Sequence, residues 1–142
     1  MRFILSRKGF DSSWGGHPCP ILPDRRLVML PIPVAPDGPF AHADQLTYEQ
    51  PHVPGNPALS YAELMHRHGM DELRMGENHG PLGPATLCHL DPDLIRNVAE
   101  RAGPWRAAFG QSDAAESHLR GKGVREGDVF LFFGLFRHSD GN

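Results

Sequence analysis

The sequence predicts an α+β fold with a small mixed sheet, short helices and long loops rich in glycine and proline. The chain of 142 residues contains 16 glycines and 14 prolines, about twice the usual share, which favours many turns and short elements. Apolar runs of strand length alternate along it with segments that carry helix-capping signals. The length allows one domain with a core and is too short for two.

Four segments predict extended structure. Residues 2–5 predict a short buried strand, and residues 27–30 predict a second strand that pairs with it and ends at the prolines that follow. Residues 85–90 predict a further extended segment. Residues 129–133 are all apolar and predict the strongest strand of the chain, central in the sheet and buried on both faces.

Two helix starts are marked by capping signals. Ser60 and Glu63 have the capping-box spacing, and Gly69 is a suitable stop for the helix that they begin. Asp91 followed by Pro92 is typical of an N-cap and a first helical position, which predicts a second helix there.

A third helix is predicted over residues 112–121, where Ser112 and Asp113 precede an alanine-rich run. Glycine and proline are dense in residues 6–25, 34–57 and 74–84, and all three segments are predicted to be loops.

Composition limits the classes of protein that are possible. The formal net charge of −3 argues against a generally basic nucleic-acid binder, although a local basic edge stays possible. No apolar run approaches the roughly 18 residues of a membrane helix, and the N-terminus lacks a secretory signal, so we expect a cytoplasmic protein. Cys19 and Cys88 are then expected to be reduced, and their wide separation is not a zinc pattern.

Several passages, taken in order, resemble the nucleotide modification associated domain 3 family. They are ILSRKGFDSSWGG (residues 4–16), PILPD (20–24), HLDPDL (89–94), FGQ (109–111) and GDVFLFFGLFR (127–137). The resemblance implies a link to nucleotide or DNA-base modification, with a nucleotide or nucleic acid as partner. Members of the family look longer, so residues 1–142 are expected to be one domain that forms the N-terminal part of a larger one. Leu135 stands where the family usually has tryptophan.

The first candidate site is the loop at residues 6–16, called the first loop below. Arg7 and Lys8 could bind phosphate, Asp11 could transfer a proton, and the Ser12 hydroxyl could contact a substrate. The glycines at the end of the loop would let backbone amides approach a ligand. The alternative is a structural loop with an internal Arg–Asp pair.

The second candidate site is the sequence His89-x-Asp91-x-Asp93. On a strand this spacing would converge three metal ligands on one face, but Pro92 starts a helix and makes Asp91 a cap. His89 and Asp93 then stay open as an acid–base pair.

Two further residues are candidates for substrate binding. Gln111 could read the edge of a base, or it could bond the backbone of its own loop. Arg137 could reach into a site at the end of the apolar strand, or it could be a solvated charge. The pattern specifies no cofactor. The function expected is nucleotide or DNA-base modification; the alternative is a non-catalytic module that recognises a modified base.

Overall fold

The computed structural model describes residues 1–35, 46–111 and 113–138 of the protein. These residues form small parallel and antiparallel sheets and two short α-helices, which confirms the α+β prediction. The strands are β1 (Phe3–Arg7), β2 (Trp14–Gly15), β3 (Cys19–Ile21), β4 (Ile32–Pro33), β5 (Leu46–Thr47), β6 (His52–Val53), β7 (Asn56–Ser60), β8 (Glu72–Met75), β9 (Asn78–Pro81), β10 (Leu87–His89), β11 (Val129–Phe133) and β12 (Phe136–His138); the helices are α1 (Tyr61–Arg67) and α2 (Asp113–Gly121).

The two ends of the described chain meet in parallel pairing. β1 pairs with β11 over five residues, and β12 pairs with β3. Gly134 lies where the strand changes partner, and a Cβ at this position would lie 2.9 Å from the carbonyl oxygen of Lys8. Only glycine allows the two backbones to come this close. Gly134 therefore lets the chain pass from β11, which pairs with β1, to β12, which pairs with β3.

The antiparallel sheets enclose the core. Their strand orders are β4-β10-β5, β2-β8-β9 and β6-β7. Phe10 and Tyr48 are fully buried with their rings edge to face, 6.4 Å between centroids. The Tyr48 hydroxyl donates to the carbonyl of Pro31 at 2.5 Å, so this core tyrosine has a partner for its polar atom.

Helix α1 begins and ends as the sequence predicts. The Ser60 hydroxyl accepts a hydrogen bond from the backbone N–H of Glu63 at 3.1 Å, and Gly69 follows the helix with a φ of +66°. The helix buries Leu64 and Met65 in the core. The extended segment predicted over 85–90 and the helix predicted over 112–121 are also confirmed, as β10 and α2, although Ser112 itself lies outside the described residues. Among the described helices, none is long and apolar enough to cross a membrane.

The strand predicted at residues 27–30 is wrong. This segment is irregular: Leu27 makes one isolated bridge to Ile21, while Val28 and Leu30 are buried. The ladder forms two residues later, in β4, and does not pair with β1. Pro33 is tolerated there because β4 is the edge strand of its sheet.

All three predicted loops contain strands. Residues 74–84 lie largely in a hairpin of β8 and β9, joined by a two-residue turn at Gly76, whose φ is +68°. Residues 6–25 contain β2 and β3. Part of the loop predicted over 34–57 lies outside the described residues; the rest contains β5 and β6. These strands are two to four residues long, too short for a period of two to be visible in the sequence.

The burial predicted for the terminal strands is also wrong. Along β1 and β11 exposure alternates, so that Phe3, Leu5, Leu131 and Phe133 are exposed on one face. Within the described residues only β1 pairs with β11. The apolar run therefore reflects a covered inner face and an exposed apolar outer face.

Candidate functional site

Residues 91–98 form the wall of the candidate site, where a helix was predicted. The Asp91–Pro92 peptide bond is cis, and the segment is irregular apart from a single 3-10 turn at Arg96–Val98. The prediction that Asp91 caps a helix is wrong. Its carboxylate instead bonds groups from distant parts of the chain, Lys8 and Gly110.

Lys8 is the main partner of Asp91. Lys8 Nζ lies 2.8 Å from Asp91 Oδ2, and both side chains are largely buried. The backbone N–H of Gly110 donates to Asp91 Oδ1 at 2.9 Å. The Lys8 ammonium also lies over the Phe109 ring, 4.4 Å from its centroid, in cation–π contact. A buried charge needs a partner and further hydrogen bonds, and Asp91 has both.

Asp93 is held in the same way by a second cation. Arg101 donates to Asp93 Oδ1 at 2.7 Å, and the Trp105 indole N–H donates to Oδ2 at 3.1 Å. The Asp93 backbone exchanges two hydrogen bonds with Ala108, each 2.9 Å long. Both carboxylates are therefore fixed in position by a cation and an N–H donor.

Asp91 and Asp93 line a cavity of about 190 Å³, called the acidic cavity below. The rest of its wall is mostly apolar. It is smaller than the roughly 300–1,000 Å³ of sites for drug-sized ligands, so it suits one small ring or a similar group. The apolar part of the wall includes Met29, Leu30, Leu90, Ile95, Val98 and Phe132.

Tyr61, the first residue of α1, brings an unused donor to the acidic cavity. Its side chain is only 3% exposed, and its hydroxyl makes no hydrogen bond to any residue that the structure describes. Burial raises the pKa of Tyr61 far above its usual value, with a smaller contribution from the two cysteines, so the phenol stays protonated at neutral pH. A buried tyrosine hydroxyl usually has a partner.

The acidic cavity can therefore both accept and donate hydrogen bonds. A carboxylate has about four lone-pair positions, and the partners named above use two on Asp91 and two on Asp93. The remaining positions can accept N–H groups, and the Tyr61 hydroxyl can donate. Such a set recognises a small planar ring with a polar edge.

The first loop is held together by its own hydrogen bonds. Asp11 Oδ1 accepts from the backbone N–H groups of Ser13 at 2.7 Å and Trp14 at 2.8 Å, and Gly16 N–H donates to the Asp11 carbonyl at 2.9 Å. The Ser12 side chain is exposed. The loop holds no Arg–Asp pair among the described residues, and four of its amides, those of Asp11, Ser13, Trp14 and Gly16, are donors within the loop.

Arg7 and Lys8 point to opposite sides of β1, although they are adjacent in sequence. Arg7 is exposed on the face of Phe3 and Leu5, whereas Lys8 lies on the inner side with Phe109. Arg137, on β12, is also exposed. Arg7, Lys8 and Arg137, the three cations predicted to bind substrate, are therefore not brought together around the acidic cavity.

His89 and Gln111 lie at the edges of this region. The His89 carbonyl accepts from Asp91 N–H at 3.0 Å, while its imidazole is exposed and bonds no described residue. Gln111 Nε2 donates to the Gly110 carbonyl at 2.6 Å, which is the alternative in which it bonds its own loop. The catalytic roles of Asp11, His89 and Asp93 stay predictions.

The two cysteines are free and buried in the core. Burial raises the pKa of Cys88 to about 12 and also raises that of Cys19, which accepts a hydrogen bond from Leu30 N–H. Neither thiol is a ready nucleophile at neutral pH. In the described part of the chain, no three His, Cys, Asp or Glu side chains come together as metal ligands.

The sequence did not point to the contacts of Asp91, nor to the roles of Phe109, Arg101 and Tyr61. Asp91 lies 83 positions from Lys8, so no local spacing relates them. The one available signal was the polar hydroxyl of Tyr61 at a buried helical position.

This is an α+β domain with a small cavity that carries two fixed carboxylates and a phenol that bonds none of the described residues. Its sequence matches the family model described as nucleotide modification associated domain 3 over residues 2–142, so the chain belongs to that family. No curated protein and no solved structure is similar enough to be matched to it. The family's description associates the domain with nucleotide modification and specifies no reaction.

Proposed function

We propose that this domain takes part in nucleotide or DNA-base modification by binding a nucleobase in the acidic cavity. The observation that carries the proposal is the Tyr61 hydroxyl, a donor without a partner among the described residues, in the wall of a cavity that also presents Asp91 and Asp93. A ligand that accepts from Tyr61 would use a donor that no described residue uses.

The chemistry of a base edge fits these groups. Cytosine and adenine each carry an exocyclic amine beside a ring nitrogen, so they offer a donor and an acceptor next to each other. The amine would donate to Asp91 or Asp93, and the ring nitrogen would accept from Tyr61. The apolar walls would contact the ring faces, as they do in proteins that hold a base outside the helical stack.

Lys8 and Arg101 have a supporting role in this proposal. They hold Asp91 and Asp93 in place and balance their charges, at 2.8 Å and 2.7 Å. An acceptor whose position is fixed in advance loses less conformational entropy when a ligand binds. Lys8 would then position Asp91 for the base instead of holding phosphate.

The test is a calorimetric titration of the protein with cytidine, adenosine, uridine and guanosine. We expect binding of cytidine and adenosine, weakened about tenfold by Tyr61→Phe, because one hydrogen bond is lost. Asp93→Asn should weaken binding as well. Asp24→Asn, at an exposed aspartate paired with Arg26, is the matched control and should leave affinity unchanged. Absence of binding, or equal binding by Tyr61→Phe and the wild type, would refute the proposal.

Catalysis and recognition are separated by the fate of the base. Both carboxylates of the cavity are already held in ion pairs, and this supports a module that recognises a base without changing it. Mass spectrometry of the nucleoside recovered after incubation decides between the two functions. An unchanged mass, with binding, supports recognition. A changed mass that Asp93→Asn abolishes supports an enzyme in which Asp93 transfers a proton.

A further inference from the structure

The outer face of the β1–β11 pair is an exposed apolar surface, separate from the acidic cavity. It is defined by Phe3, Leu5 and Arg7 on β1, with Val129, Leu131 and Phe133 opposite them on β11. Phe3 is 65% exposed, Leu5 70% and Phe133 49%. Apolar side chains grouped in this way on a surface mark a site of interaction.

The inner face of the same two strands is covered by other side chains, so the exposed apolar surface is confined to the outer face. Phe130 and Phe132 point inward, and each has its ring centroid 4.9 Å from that of Phe109. Since side chains alternate between the faces of a strand, Phe133 and Leu131 must point the other way. These outer residues contribute to the surface and not to the core.

The charge of this surface is positive, although the chain as a whole has a formal net charge of −3. β1, β11 and β12 contain Arg7 and Arg137 and no acidic residue. Neither guanidinium makes a hydrogen bond or ion pair with any described residue. Arg67 and Arg120 are exposed as well, but they are paired with Glu63 and Glu116. The free cations favour an anionic ligand.

Aromatic rings beside free arginines are the groups that bind single-stranded nucleic acid. Arg7 is directly opposite Phe133 in the register of the two strands. A base can stack on an exposed phenylalanine while a neighbouring arginine contacts the phosphate, and neither contact depends on sequence. In a duplex the base faces are stacked on one another, so only its phosphates would contact the surface, through the arginines.

A second copy of the chain fits this surface less well. Two such faces packed together would bury the arginines of both copies against a surface whose strands contain no carboxylate. Burying a charge without a partner is strongly unfavourable. A single-stranded nucleic acid supplies negative phosphates for the arginines, as well as base rings that cover the apolar side chains.

We propose that the outer face of β1 and β11, with Phe3, Arg7 and Phe133, binds single-stranded nucleic acid without sequence preference, and that Arg137 on the following strand β12 adds a second positive charge. The proposal does not depend on the base-binding function, because the two surfaces lie on opposite sides of β1: Arg7 points to the outer face, and Lys8 points to the side of the acidic cavity. The single-stranded nucleic acid would be held on one side of the β1–β11 pair, and a free base would be held on the other.

The test is fluorescence anisotropy with a labelled single-stranded oligonucleotide of about 12 nucleotides, within the usual site size of roughly 4–16. We expect Phe133→Ala to weaken binding roughly fivefold or more, the effect of losing one stacked base. Arg7→Ala should lower the slope of log affinity against log salt by about 0.7, because one phosphate contact is lost. Arg120→Ala, an exposed and paired arginine on α2, is the matched control and should change neither value.

Three results would overturn the proposal. They are equal affinity for the duplex of the same sequence, unchanged binding by Phe133→Ala and Arg7→Ala, and a concentration-dependent dimer in analytical ultracentrifugation that Leu131→Ser dissociates. The last would assign the face to a second copy. Nucleoside titration of Phe133→Ala, which should match the wild type, keeps failure of this proposal distinct from failure of the base-binding function.

Discussion

Lys8 and Asp91, 83 positions apart in the chain, form an ion pair of 2.8 Å that joins the end of β1 to the segment after β10. Both side chains are mostly withdrawn from water, so each charge depends on the other. The pair fixes one wall of the acidic cavity relative to the parallel strands. Stability and the shape of the cavity are therefore linked at this contact.

The first prediction concerns this ion pair. Lys8→Met and Asp91→Asn should each lower the free energy of unfolding by about 2 kcal/mol, because each leaves a buried charge without its partner. The double variant should cost clearly less than the sum of the two. Urea denaturation of the four proteins measures this cycle, and strictly additive losses would contradict the pairing.

The second prediction compares two buried tyrosines. Tyr48→Phe should lower the free energy of unfolding by about 1–2 kcal/mol, because the Pro31 carbonyl loses its donor. Tyr61→Phe should leave stability unchanged or raise it, because the lost hydroxyl has no described partner. Thermal and urea denaturation test both variants. An equal loss for the two would show that Tyr61 has a partner within the protein.

The third prediction concerns the reason for glycine at residue 15. A Cβ on Gly15 would lie 2.1 Å from the Phe10 ring, and its φ is +85°. Gly15→Ala should therefore cost more than the roughly 1–2 kcal/mol of a left-handed conformation alone. Gly76→Ala is the matched control, since Gly76 has a φ of +68° and open space around it. Equal losses in the free energy of unfolding would exclude the steric cause.

The first loop shows why the sequence was a limited guide to the site. Its glycines and its aspartate were interpreted as groups for a ligand, yet Gly15 packs on Phe10 and Asp11 bonds the amides of its own loop. A glycine that is needed for close packing cannot be distinguished in the sequence from a glycine that is needed for the approach of a ligand. Only the tertiary partner distinguishes them.

Local signals predicted the elements that depend on local contacts. The cap of α1 is formed by Ser60 and the N–H of Glu63, three residues apart, and it was predictable. The partners of Asp91 are Lys8 and Gly110, and competition between a helix cap and these distant groups could not be judged from sequence. The same limit applied to β11, where a uniformly apolar run concealed two faces with different surroundings.

The fourth prediction concerns alkaline stability. The Cys88 thiol ionises near pH 8.5–9 when unfolded, whereas burial raises its pKa to about 12 in the folded protein. The unfolded state therefore loses a proton first, and stability should fall by up to about 1.4 kcal/mol per pH unit between about pH 9 and 12. Tyr48 and Tyr61, whose pKa values are also raised by burial, add to the fall above pH 10.

Urea denaturation at several pH values from 7.5 upward measures this slope. Cys88→Ala should reduce the steepness between pH 9 and 10, whatever it does to stability at pH 7.5. An identical pH dependence in the variant would mean that the Cys88 thiol is not protected from ionisation by the fold.

The parallel pairing of β1 with β11 also has a consequence for synthesis. Arg2 and its hydrogen-bond partner Asp128 are separated by 126 positions, and each β1 residue pairs equally far along the chain. The first strand to be synthesised, β1, therefore stays unpaired until β11, one of the last described strands, has been synthesised. Phe3 and Leu5 stay unpaired until Val129 and Leu131 have been synthesised, and contacts so distant in sequence form slowly. The domain can complete its fold only after β11 has been synthesised, so its N-terminal strand is among the last of the described parts to be paired.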